Sequence, residues 1–257
     1  MYEFPLCFSL YFSTFEVKNL SSVLSRKKIK FIQSLRQKKF RLQHQLFVVE
    51  GEKLVQEFFK SDWHIEQIYA TKEWEGDSVE ITSKELERIS SLKTPNKVLA
   101  IVKIPHINSV SYENLVLALD GVKDPGNLGT IIRLADWFGI KHILCSKDSV
   151  DLYNPKVVQA TMGSIIRVQV QYVDLKATID SMIDYQIYAA VMDGKSIYSF
   201  EKSQKTIVLM GSESHGLSQE LLEIAHQKIT IPKSEKSKAE SLNVANACGI
   251  ILAFLSS

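Results

Sequence analysis

Cysteine is scarce in this 257-residue sequence, and the three present, Cys7, Cys145 and Cys248, stand far apart. No CxxC pair and no Cys/His ligand spacing occurs, which argues against a disulfide framework and a zinc site and predicts a reduced, cytoplasmic chain without a metal. Also missing is any run of about 18 uncharged apolar residues, so no segment is expected to span a bilayer. The apolar opening MYEFPLCFSLYFSTFEV lacks a basic n-region and a small-residue cleavage site and carries Glu3 and Glu16, which disfavours a secretory signal. Residues 1–19 are expected to form a poorly ordered tail, or an extension upstream of the native start. Hydrophobic residues make up 45% of the chain and charged residues 23%, a balance that excludes wholesale disorder and suits two globular domains of unequal size.

Acidic residues are absent from 18 to 45, where Lys18, Arg26, Lys27, Lys28, Lys30, Arg36, Lys38, Lys39 and Arg41 lie. Those nine bases leave 22 against 29 acids elsewhere, so the net charge of +2 conceals one local positive block. Such a block is an electrostatic footprint for a polyanion, because Lys and Arg that neutralise phosphates release counterions. It describes a solvated helix face equally well.

Hydrophobic periodicity divides the rest. Ile29, Ile32 and Leu35 recur at helical spacing; QLFVVEG, IEQIYAT and KVLAIVKI read as strands, and EKLVQEFFK and SKELERISS as helices, the latter capped by Ser83. PHINSVSYEN has a proline and no period and predicts a linker. The expected division is an α/β domain at 20–105, a linker at 106–111 and a second domain at 112–257. In the second, strands alternate with helices from LVLALD to SLNVANACGIILAFLSS, which predicts an α/β fold with a mostly parallel, doubly covered sheet. Ligands bind outside the carboxyl ends of the strands in such sheets.

Three strand-to-loop junctions are candidates for a site. In LALDGVKDPGNLGTIIR a strand ends at Asp120 and Asn127 is placed to cap a helix, with Arg133 six residues on. A helix cap followed by a surface arginine describes the same spacing. In IVLMGSESHGLS a buried strand meets two glycines, which admit a ligand close to the backbone. ITIPKSEKSKAESLNVANACGIILAF is a strand stopped by Pro232, a charged loop, and then Ser241, Leu242 and Asn243 opening an apolar helix, with Ser241 as a possible N-cap. Three familiar fingerprints are absent. Asn127 and Leu128 stand where a P-loop needs Lys and Ser/Thr, no GxGxxG follows any strand, and the glycines around Ser214 are one residue too far apart for a nucleophile elbow. ATP hydrolysis and a Rossmann dinucleotide site are thereby disfavoured, and a serine hydrolase using Ser214 and His215 stays a minor alternative.

In this order the three segments resemble the three motifs of the SpoU/TrmH family of RNA 2′-O-methyltransferases, within the SPOUT superfamily. NLGTIIR resembles the first, GSESHGLS the second and IPK…ESLNVANACGI the third; NPKVVQATMGSI resembles the segment between the first two. FVVEGEKLVQEF with the basic helix before it is similar to the substrate-binding domain of ribosomal-RNA members. The resemblance implies a C-terminal trefoil knot, a homodimer, S-adenosylmethionine (SAM) as methyl donor, and a ribose 2′-hydroxyl of structured RNA as acceptor. Ribosomal RNA is favoured over transfer RNA, and guanosine over other nucleotides. A non-catalytic RNA-binding protein of this fold is the alternative. It also implies site residues: Asn127, Arg133, Glu213, Ser241 and Asn243 as the polar catalytic set, and Leu209, Gly211, Gly216, Ile231, Pro232 and Leu242 around the cofactor. Arg26, Lys27, Lys28, Lys30, Arg36, Lys38, Lys39 and Arg41 would face RNA. Arg133 is the family's proposed base, but a free guanidinium stays protonated up to a pKa above about 12, so orienting the hydroxyl or its phosphate and stabilising developing alkoxide charge suits it better. The loop KSEKSKAE is longer than the family's usual turn and has no glycine, and Thr161 stands where a serine is common.

Overall fold

The computed structural model describes residues 24–106, 112–199 and 203–256. The expected tail at 1–19 and most of the expected linker, residues 107–111, lie outside them.

The N-terminal part runs α1 (Arg26–Ser34), α2 (Lys38–His44), β1 (Leu46–Glu50), α3 (Glu52–Phe59), β2 (Ile65–Ala70), β3 (Val79–Glu80), α4 (Ser83–Ile89) and β4 (Val98–Lys103). The basic segment is two helices, with Leu35, Arg36 and Gln37 turning between them. Helix α4 is capped by Thr82 rather than Ser83. The Thr82 hydroxyl accepts from the Glu85 amide at 3.3 Å while Glu85 accepts from the Thr82 amide at 2.9 Å, so the reciprocal box wins over the neighbouring serine. The strands form one sheet in the order β1-β4-β2-β3, antiparallel except for β2 with the two-residue β3.

The C-terminal part runs β5 (Leu115–Leu119), α5 (Pro125–Trp137), β6 (His142–Ser146), α6 (Pro155–Thr161), β7 (Gln169–Val173), α7 (Leu175–Asp180), β8 (Gln186–Ser196), β9 (Thr206–Met210), α8 (Gln219–Ile224), β10 (Gln227–Thr230) and α9 (Val244–Ser256). Its six strands lie in the order β10-β8-β9-β5-β6-β7, and every neighbouring pair is parallel. All five residues of β9 are buried, as a central strand covered on both faces requires. Helix α6 is shorter than the run NPKVVQATMGSII suggests. Met162 and Gly163 take positive φ, 51° and 97°, and end it, because a left-handed residue cannot continue the hydrogen-bond ladder.

Helices α7 and α8 cover one face of the larger sheet, over Val116, Ala118, Leu144 and Leu209. On its other face lies a core that continues into the N-terminal part, joining Leu117, Ile131 and Val157 to Phe47, Val55 and Phe58. The Phe47 ring lies 4.8 Å from that of Tyr153. Two ionic contacts cross the same joint. Arg41 Nη2 lies 2.5 Å from Asp151, and Arg167 bridges Glu57 at 3.2 Å and Asp136 at 2.8 Å. Partial burial opposes ionisation of Asp136, but the Arg167 guanidinium outweighs it and holds that carboxyl below its ordinary range.

Burial pushes the thiols of Cys145 and Cys248 up to about 12, so both are packing groups rather than nucleophiles. Among the described residues no cluster of His, Cys, Asp and Glu could hold a metal ion, and no helix is long and apolar enough to cross a membrane.

Candidate active site

The three junctions singled out in the sequence meet at the carboxyl edge of the six-stranded sheet. Strand β5 runs into Asp120, whose carboxylate accepts from the Ser218 amide at 2.7 Å and so ties the loop after β9 to the end of β5. Helix α5 is capped by Asp124, which accepts from the Asn127 amide at 2.8 Å, and Pro125 fills its first position. Asn127 is thus inside the first turn rather than the cap. Its side chain is released from capping and can point at other groups.

After β9 the chain folds on itself. Ser212 and Gly216 exchange backbone hydrogen bonds at 3.0 and 2.9 Å. A Cβ on Gly211 would lie 2.1 Å from the Gly216 carbonyl carbon, so only glycine permits this closure. The tight loop holds Glu213 out toward α5 and α9. Asn243 caps α9 in place of Ser241, accepting from the amides of Ala245 at 3.0 Å and Asn246 at 3.3 Å.

These placements create one polar cluster from three loops. Glu213 Oε1 accepts from Asn127 Nδ2 and from Asn243 Nδ2, both at 2.8 Å, and Asn243 Nδ2 also reaches Asn127 Oδ1 at 2.9 Å. Two amide donors on one carboxylate oxygen fix the orientation of all three side chains.

Beside the cluster opens a cavity of about 610 Å3, whose wall includes Met210, Gly211, Leu217, Ile231 and Leu242. That volume lies inside the range of about 300–1,000 Å3 usual for cofactor pockets. Of the expected cofactor set, Gly211, Gly216, Ile231, Pro232 and Leu242 line it, and so do Glu213 and Ser241 from the polar set. Leu209 does not; it is fully buried in the core under α7 and α8 and supports the pocket from behind. The cavity also uses Ala190, Val191 and Met192 from the middle of β8, where its pairing with β9 ends. Sequence reasoning missed these three, because nothing local says that β8 lies between β9 and β10.

Arg133 stays apart from the cluster. Six residues along a helix rotate a side chain by about 600°, which leaves it some 120° from Asn127. The structure places it on the exposed face of α5 with Thr130 and Trp137, the last 84% exposed.

Of the eight bases expected to face RNA, Arg26, Lys27, Lys30, Arg36, Lys38 and Lys39 are exposed, and Lys28 is half-buried over the rings of Phe31 and Tyr69. Arg41 is the correction. It is only 3% exposed, and its guanidinium is committed to Asp151 and to the carbonyls of Leu35 and Arg36, so it cannot meet a phosphate.

Ser214 Oγ and His215 Nδ1 lie 2.7 Å apart, but among the described residues no carboxylate partner orients the ring. A serine hydrolase needs its base held by a third group, so the pair does not make a triad.

Residues 114–253 match the model of the SpoU rRNA Methylase family, and residues 26–100 match that of the MRM3-like substrate binding domain. The chain is 28% identical over 247 residues to the 23S rRNA (guanosine(2553)-2′-O)-methyltransferase RlmP of Bacillus subtilis, covering 92% of this chain and 98% of that one. Among solved structures, a putative TrmH-family RNA methyltransferase from Porphyromonas gingivalis is 37% identical, with a TM-score of 0.79 over 91% of this chain and 98% of the other. An AdoMet-bound rRNA methyltransferase from Sinorhizobium meliloti is 30% identical, with a TM-score of 0.80 over 91% and 96%.

Proposed function

The chain belongs to the SpoU family of rRNA methylases, and from that premise we propose that it transfers a methyl group from SAM to a ribose 2′-hydroxyl of ribosomal RNA, guanosine being the favoured nucleotide. The observation that carries the reading is the convergence of Asn127 and Asn243 on Glu213, which lines the 610 Å3 cavity. The relative named for guanosine methylation covers nearly the whole chain.

The cavity fits the donor by its chemistry. Its wall is largely aliphatic, as an adenine ring and a methionine side chain require, and the glycine-closed turn at 211–216 brings backbone amides and carbonyls close to whatever occupies it. When bound, SAM supplies a sulfonium-activated methyl group. The chain's task is to align the ribose oxygen and ease loss of its proton. Asn127 and Asn243, oriented by Glu213, hold the ribose at the cavity mouth, and Ser241 lines the same opening. Arg133 contributes positive charge to the developing alkoxide or to a neighbouring phosphate.

Because Arg133 does not join its own cluster, its role fits a homodimer that buries the exposed faces of α5 and α9, where Trp137 and Ile250 lie. That face then carries Arg133 toward the partner's site. The trefoil path of the C-terminal chain, the division at 20–105 and 112–257 and a cytoplasmic location belong to the same reading.

Incubation of the protein with tritiated SAM and undermethylated ribosomal RNA tests the function; no incorporation into any ribosomal or transfer RNA would refute it. A second experiment tests the basic helices. The double variant Lys38→Glu/Lys39→Glu should weaken RNA binding and lower the slope of log K against log salt by about one to two, since each phosphate contact contributes about 0.7–0.9. An unchanged slope in filter binding would make these lysines an ordinary solvated face.

A further inference from the structure

Between the two parts of the molecule lies a second groove of about 460 Å3, separate from the cofactor cavity. Its walls are Leu92, Pro155 and Ala160, and its edges carry Arg36, Lys156 and Gln159. We infer that this groove seats an unstacked base of the RNA substrate, a neighbour of the methylated nucleotide; the inference rests on the RNA-methylation reading above.

Both walls are held rigidly. On the N-terminal side, Glu50 is buried and accepts hydrogen bonds from the hydroxyls of Ser90 and Ser91 and from the Ser91 amide at 2.9 Å, while Leu92 N donates to Ser90 Oγ at 3.0 Å. On the other side, Asp151 accepts from the Asn154 amide through its carbonyl at 3.0 Å, immediately before α6 begins. The buried Arg41 joins the two, gripping the carboxylate of Asp151 and donating to the backbone carbonyl of Arg36 at 2.8 Å. The two walls are thus tied by an ion pair that does not line the groove.

Shape and charge suit a nucleotide. Aliphatic walls accept the face of any base, and a guanidinium plane at the edge adds stacking. Arg36 uses Nη2 for the carbonyls of Ile89 and Ser90, at 3.3 and 2.5 Å, which fixes its plane. Lys156 is exposed at the opposite edge, with Lys38, Lys39 and Lys93 on the N-terminal side. Asp151 is paired with Arg41, Glu50 is buried beneath its serine partners, and the charged side chains lining the groove are Arg36 and Lys156, so an incoming phosphate meets positive charge at the lining.

The groove also lies close to the site. Ala160 in its wall packs against Gly129 of α5, where an added Cβ would come within 2.4 Å of the Ala160 Cβ. Gly129 stands two residues after Asn127. The loop after β6 that leads into α6 meets the site's own loop, since Gly121 N donates to Ser146 Oγ at 2.8 Å. The groove wall is thus packed directly against the helix that carries Asn127.

The test uses the full chain and ribosomal RNA from a strain lacking the enzyme, with RNA affinity read by filter binding and methyl incorporation read in parallel. Lys156→Glu should weaken RNA binding at least tenfold; a glutamate in the first turn of α6 suits the helix dipole, so melting temperature and SAM affinity should match the wild type. Leu92→Trp fills the groove without changing charge and should weaken binding at least fivefold, and Gln159→Phe fills it from the other wall if Leu92→Trp is poorly folded. Lys205→Glu, at the amino edge of the sheet, should change affinity less than twofold. Groove-filling variants that fold and bind RNA like the wild type would overturn the base seat. Absent methyl incorporation by the wild type would instead overturn the methylation reading, while the binding data still decide the groove.

Discussion

Replacing Arg133 with alanine is expected to lower methyl transfer by about 10²–10³-fold, the loss typical when a preorganised donor to developing oxyanion charge is removed. SAM affinity should stay within about twofold, because Arg133 does not line the cofactor cavity. Arg133→Lys keeps the charge but loses the planar fork, and should recover part of the rate. The variant's oligomeric state belongs to the same experiment, since Arg133 shares an exposed helix face with Trp137. Loss of rate with the wild-type assembly intact supports a direct electrostatic role. Near-normal turnover in Arg133→Ala would show that the polar set has been assigned to the wrong arginine.

The second large effect concerns stability. Arg41→Ala leaves Asp151, only 13% exposed, without its partner, and leaves the carbonyls of Leu35 and Arg36 without a donor. Removing one member of a buried ion pair typically costs about 3–5 kcal/mol. For a chain of this size that corresponds to a fall of about 6–20 °C in melting temperature. The double variant Arg41→Met/Asp151→Leu should lose less than the single one, because no charge is stranded. Calorimetry of the wild type, Arg41→Ala and the double variant measures this directly. A fall of under about 3 °C for Arg41→Ala would mean that the joint between the two sheets does not depend on this pair.

How legible was this molecule in its sequence? The alternation of elements in the second half was plain, because β5, β9 and α9 are apolar runs bounded by turn residues, and parallel sheets produce that pattern. Asn127, Glu213 and Asn243 were legible as a group only through the order of the three motifs; the separations of 86 and 116 residues between members of the cluster carry no local signal. Caps were misplaced by one to three residues at α4, α5 and α9, where two capping residue types stand close together. At α5 the decisive feature is Pro125, which belongs at the first helical position and so puts the cap at Asp124. Arg41 is chemically indistinguishable from its basic neighbours, and only the packing of α2 against the larger domain turns it inward. The contribution of β8 to the cavity follows from the strand order β10-β8-β9, a long-range outcome that periodicity does not encode.

The role of Arg133 is where helix geometry constrains the chemistry most. Asn127 and Arg133 stand six residues apart on α5, and 3.6 residues per turn separates them by about a third of a circle. Within one chain the two amides and the carboxylate are in place while Arg133 lies outside the cluster, which is why the assembly and the rate belong in one experiment.

The central claim is ribose methylation at the cavity lined by Glu213, beside the amides of Asn127 and Asn243. Its most direct test is to incubate the full chain with SAM and ribosomal RNA from a strain lacking the enzyme, and then to map alkali-resistant linkages along the RNA. The account predicts one new resistant position with the wild-type protein, at a guanosine, and none with Asn127→Ala. Methylation found on a base instead of a ribose, or a resistant linkage formed equally well by Asn127→Ala, would contradict it.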